Sequence, residues 1–124
     1  MRRPSEAALR FEERRRRENA AERLRTRVPS LVTLRLDLEE RRAEMQAPET
    51  RHARPVVVDV APAMFEFPCQ DTSCREGGHV LTTEILRKLD ERAARFEITD
   101  ACRGYVGTGS CGRVLCVVGT ATYR

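Results

Sequence analysis

The chain has 124 residues, 23 basic and 19 acidic, giving a formal net charge of +4, with 40% hydrophobic residues, 5% aromatic and no tryptophan. That length makes one domain with room for an appendage, and no apolar run is long enough for a bilayer-spanning helix. The opening MRRPSEAALRFEERRRREN lacks the apolar stretch and small-residue cleavage site of a secretory signal, which predicts a cytoplasmic protein with reduced thiols.

The charge is unevenly placed. Residues 1–27 hold ten arginines and five glutamates, a net of about +5, and the rest of the chain is close to neutral. Residues 5–27 are predicted to form one helix. Ser5 can cap it, and Ala20, Ala21, Leu24 and Val28 share a face. Upstream of Ala20 the apolar stripe is broken by Glu13, Arg16 and Arg17, so the first turns are expected in solvent, and Pro29 to end the helix. Residues 1–28 are therefore set apart as an Arg-rich helix, and residues 29–124 as a zinc-binding α+β domain.

Residues 31–38, LVTLRLDL, alternate as a half-buried strand does, with Val32, Leu34, Leu36 and Leu38 facing one way. The polar stretch 40–54 has no period and is predicted to be a long loop. Residues 56–67 are expected to form a strand in two phases. Val56, Val58 and Val60 face one side, and after Pro62 the apolar positions shift to Phe65 and Phe67. Thr82 or Thr83 is expected to cap a helix whose Ile85, Leu86, Leu89 and Ala93 make an apolar face. A short strand holds Phe96 and Ile98, and residues 113–123 close the fold as a strand. The expected architecture is an antiparallel sheet of about four strands with one packed helix.

Five cysteines lie in the second half. Cys69 and Cys74 form a C-x4-C pair, and Cys102 and Cys111 a C-x8-C pair followed by Gly112. Two separated thiol pairs are what a tetrahedral Zn²⁺ site needs, since each pair can sit in one loop and the ion clamps the loops together. Ligand sulfurs must lie within about 4 Å of one another, whereas an extended 112–116 segment would put Cys116 roughly 16 Å from Cys111. Cys116 is therefore left out and expected in the core beside Val114 and Val118. Gly112 is expected to bring backbone N–H groups towards a thiolate. His79, five residues after Cys74, is the alternative ligand in a Cys3His set, or else a residue at the start of a helix or supporting the ligands. His52 is expected in solvent.

The run F-E-F-P-C-x4-C, followed by C and C-G, resembles a zinc ribbon and is similar to sequences of small uncharacterised bacterial proteins. The resemblance covers residues 64–123. It implies zinc-ribbon-like knuckles with Cys69, Cys74, Cys102 and Cys111 as ligands.

Four thiolates close a zinc site and make it a poor Lewis acid. No Gly-rich phosphate loop, H-E-x-x-H or Ser/His/Asp grouping is present, and a Cys116–His79 pair has no orienting partner. A non-enzyme without a small-molecule substrate is expected. One functional expectation is contact with nucleic acid or a ribonucleoprotein through Arg10, Arg14, Arg15, Arg16 and Arg17, because guanidinium forks suit phosphate. Pairs such as Glu6–Arg10, Glu12–Arg16 and Glu13–Arg17 work against it. The alternative is a protein-interaction adaptor that docks through the helix or the 40–54 loop, with thiol oxidation as its redox variant.

Overall fold

The computed structural model describes residues 3–124. In chain order the elements are α1 (Glu6–Ala20), α2 (Leu24–Arg27), β1 (Leu31–Arg41), β2 (Thr50–Val56), β3 (Glu66–Phe67), β4 (His79–Val80), α3 (Thr82–Asp90), β5 (Arg95–Ala101), β6 (Tyr105–Val106), β7 (Gly109–Ser110) and β8 (Val114–Tyr123). β2, β1, β8 and β5 lie in that order as a four-stranded antiparallel sheet, while β3–β4 and β6–β7 are separate two-stranded ribbons. The expected α+β class, four-stranded sheet and packed helix are all present.

One sheet face is the core. Leu34, Leu36 and Leu38 of β1, Phe96 of β5, and Leu115, Val117 and Ala121 of β8 are buried there against Ile85 and Leu89 of α3. Ile85 and Leu89 are wholly inaccessible, and burial at that level is worth about 1.5–3 kcal/mol per side chain. Phe96 pairs across the strands with Gly119 and lays its ring over it, so that a side chain at 119 would collide with the ring.

Several local expectations change. A register shift between Leu31 and Thr33 turns Leu31 inward and leaves Val32 exposed. The polar 40–54 stretch is a loop only over 42–49, since β1 runs to Arg41 and β2 begins at Thr50, the two pairing from Leu34 to Glu40. β2 is an edge strand exposed along most of its length, so it has no apolar alternation to betray it. Residues 57–61 form a turn instead of a strand, with both Val60 N and Ala61 N bonded to Val57 O. Val58 alone of Val57, Val58 and Val60 is buried. Phe65 and Phe67 are buried as expected.

The single 5–27 helix is two. Ser5 does cap α1, its side chain accepting from Ala8 N at 3.1 Å. After Ala20 the chain becomes extended, because 22–24 pairs with 61–63: Leu24 N reaches Ala61 O and Ala63 N reaches Glu22 O, both at 2.8 Å. The Arg23 guanidinium donates to Glu18 O and Ala21 O and so covers the orphan carbonyls of α1. Tertiary pairing outweighs helix propensity here. Leu81, and neither threonine, occupies the N-cap of α3, while Thr82 Oγ1 accepts from Phe65 N at 2.9 Å.

Candidate metal centre

β3 ends at Phe67, one residue before Pro68-Cys69, and the next four residues turn back to Cys74, with Ser73 N donating to the Asp71 carboxylate. β5 delivers Cys102, and the β6–β7 hairpin fills the space between Cys102 and Cys111. These two knuckles face each other at one end of the sheet. Arg75 N donates to Tyr105 O at 2.8 Å and Tyr105 N donates to Arg75 O at 2.9 Å, which ties one knuckle to the other.

The sulfurs of Cys69, Cys74, Cys102 and Cys111 all lie within 4.8 Å of one another, and this group can hold a metal ion. Cys69 Sγ and Cys111 Sγ are 3.7 Å apart, as are Cys74 Sγ and Cys102 Sγ. A tetrahedral ion with bonds of about 2.3 Å would set its sulfurs about 3.8 Å apart, so the donor set fits such an ion in number, softness and spacing.

Two glycines make this approach possible. A Cβ on Gly77 would overlap Cys74 Sγ and lie 2.7 Å from Cys102 Sγ. One on Gly104 would overlap Cys74 Sγ and lie 2.6 Å from Arg75 O. Gly78 N and Gly104 N donate to Cys102 Sγ at 3.3 and 3.4 Å. The expected N–H support of a thiolate is thus real, but it comes from Gly78 and Gly104 and centres on Cys102. Gly112 has a φ of +62° and serves the turn.

Burial pushes the Cys102 thiol up, yet these N–H donors together with the Cys74 and Cys69 thiols outweigh it and its pKa falls below the ordinary thiol value. Cys69 moves well up, chiefly through burial with Cys111 adding to it, and Cys74 is pushed up to about 11 by burial and its bonded cysteine neighbours. In the metal-free chain Cys102 is accordingly the easiest of these three sulfurs to ionise.

His79 is outside the cluster. It is buried, and its Nδ1 lies 2.8 Å from Asp100 Oδ2 while Nε2 has no hydrogen-bond partner and sits 4.0 Å from Glu40 Oε2. Glu40 and Arg113 are buried too, with Arg113 Nε donating to Glu40 Oε1 at 2.5 Å and Arg113 Nη1 to Glu49 Oε2 at 3.0 Å. This buried polar group is absent from the sequence reading above. A signal for it exists: Glu40 continues the inward phase of Leu36 and Leu38, Arg113 that of Leu115 and Val117, and Asp100 that of Phe96 and Ile98.

Cys116 stands apart, as expected, but its environment differs. It shares the half-buried outer face of β8 with Val114 and Val118, opposite the core, and its Sγ lies 3.5 Å from Glu97 Oε1. The strand alternates as expected, with the core on the other side.

The arginines divide. Arg14 pairs with Glu18 at 3.1 Å and donates to Glu66 O, and Arg17 grips the Glu66 carboxylate at 2.7 and 2.8 Å. Arg10 lies 3.8 Å from Glu6. Arg15 and Arg16 make no ion pair among the described residues. The expected Glu6–Arg10 pair forms, and Arg17 takes Glu66 in place of Glu13. No residue of α1 is buried. Between α1 and the first knuckle runs a groove of about 660 Å³, lined by Phe11, Arg14, Arg17, Cys69, Cys74 and Val80 among others.

No described helix is long and apolar enough to cross a membrane. Comparison with known proteins finds no matching family model, no matching curated protein and no matching solved structure.

Proposed function

We propose that the chain is a small zinc-bearing module without catalytic activity, zinc-ribbon-like in its facing knuckles, that contacts nucleic acid or a ribonucleoprotein through α1. The convergence of four sulfurs within 4.8 Å carries the metal reading. A tetrahedral all-sulfur site favours Zn²⁺ or an iron–sulfur centre among cellular metals, and an isolated set of four cysteines in two knuckles favours zinc. With four thiolates bound, no coordination position is left for a substrate, which supports a binding role.

The nucleic-acid reading is supported by the placement of α1. It is anchored on Glu66 through Arg14 and Arg17 and presents Arg15 and Arg16 without ion-pair partners among the described residues. Copurification of nucleic acid, lost after nuclease treatment and weakened steeply by salt, is the expected result. Nuclease-resistant copurification with a protein would displace it in favour of an adaptor. The observation that favours that second reading is the exposure of Leu9 and Phe11 on the same helix, at 50% and 66%.

A further inference from the structure

We infer that the buried Glu40–Arg113 pair and the His79–Asp100 pair, whose histidine is buried, form a frame that keeps the four cysteines assembled without metal, so that the ion enters and leaves a folded chain. This rests on the metal reading above for what is loaded, but the frame itself is measurable with no metal present.

The frame reaches the chain beside Cys69, Cys102 and Cys111. Glu40 Oε1 accepts from Gln70 N, next to Cys69, at 3.1 Å and from the Arg113 side chain, two residues after Cys111. Arg113 O accepts from Cys102 N at 2.7 Å. Asp100, two residues before Cys102, holds His79, which adjoins the Gly78 whose N–H meets Cys102 Sγ. Cys111 N donates to Gly104 O at 2.8 Å, and Arg75 and Tyr105 join the knuckles reciprocally. Glu40 and Asp100 belong to β1 and β5 of the main sheet, so the knuckles are pinned to an element that owes nothing to the ion.

That sheet has its own core. The sixteen buried residues of the hydrophobic cluster include no cysteine. Small zinc modules unfold without metal because the ion stands in for such a core. Here Cys102 alone of the four cysteines is buried with the apolar side chains, and buried charge, costly in itself, is placed where it orients the ligand loops. Supporting groups of this kind typically change metal affinity about 10- to 100-fold when altered.

The test uses the full chain under reducing conditions, stripped by chelator and followed by amide hydrogen exchange. The amides of Arg75, Cys102, Tyr105 and Cys111 should stay protected along with those of β1 and β8. Glu40→Gln should keep β1 and β8 protected, lose protection at those four amides, and bind Zn²⁺ at least about 10-fold more weakly. Should Glu40→Gln fail to fold, Asp100→Asn, which spares the Glu40–Arg113 pair, is read by the same two measures. Knuckle amides that lose protection on stripping, or variants with unchanged protection and affinity, would overturn the frame. A stripped chain with protected knuckles that then takes up no Zn²⁺ would keep the frame and defeat the metal reading.

Discussion

Gly77 and Gly104 stand where two backbones pass against the sulfurs of Cys74 and Cys102, and a methyl group at either site would displace one of those sulfurs. Gly104→Ala is expected to weaken Zn²⁺ binding by more than about 10-fold. Gly109→Ala, whose Cβ would meet nothing nearer than Val106 O at 3.8 Å, should bind as the parent does. Competition with a chromophoric chelator compares the two. A similar contrast separates the cysteines. Cys102→Ser removes a sulfur that holds two N–H donors inside the cluster, so the metal-loaded chain should lose stability steeply in a thermal melt, since binding energy adds to folding energy. Cys116→Ser, half-exposed on the outer sheet face, should change stability by less than about 0.5 kcal/mol. Equal losses would show that Cys116 had been wrongly left out. The four clustered cysteines could be chosen from spacing because thiols able to bear on one ion must converge, and that constraint is local. Glu40, Arg113 and Asp100 were harder to see. A charged residue on the core phase of a strand reads as the strand's end until its partner on another strand is known.

At the scale of elements, α1 is held by polar contacts on Glu66, and none of its residues is buried. Deleting residues 1–19 takes away seven of the 23 basic residues and no buried apolar side chain among the described ones. The remaining chain should keep its α+β fold by circular dichroism, while its affinity for RNA or DNA falls and the slope against salt flattens. A truncated chain that binds polyanions as tightly as the whole would remove the nucleic-acid reading. α2 is tied to α3 differently, by a bidentate pair in which Arg27 donates to both Asp90 oxygens at 2.7 and 2.8 Å. Those hydrogen bonds hold the Asp90 carboxyl below its ordinary range. The stability it lends is therefore full above the unfolded pKa and is lost as pH falls through the lowered folded value. In urea titrations Asp90→Asn should be slightly less stable than the parent at neutral pH, slightly because both side chains are well exposed. The difference should vanish once pH has fallen below that lowered value. β1, α3 and β8 were legible because each buries one face and shows its period. β2 was hidden by exposure on both faces, and the break after Ala20 by partners some forty residues away.

Taken whole, the molecule separates two jobs. A sheet packed on α3 supplies a core, and at one end of it two knuckles bring together thiols from positions 69, 74, 102 and 111. The arginine helix lines one side of the groove beside them, so a partner bound to α1 would lie next to the cysteine cluster. All of this turns on whether the sulfur cluster holds an ion. The most direct measurement is native mass spectrometry of the full chain, purified without chelator, with thiol titration of the same sample. One Zn²⁺ per chain is expected, with Cys116 alone reacting freely and the other four thiols released only after chelation. Less than about half an equivalent of metal, with all five thiols reacting at once, would contradict the zinc site.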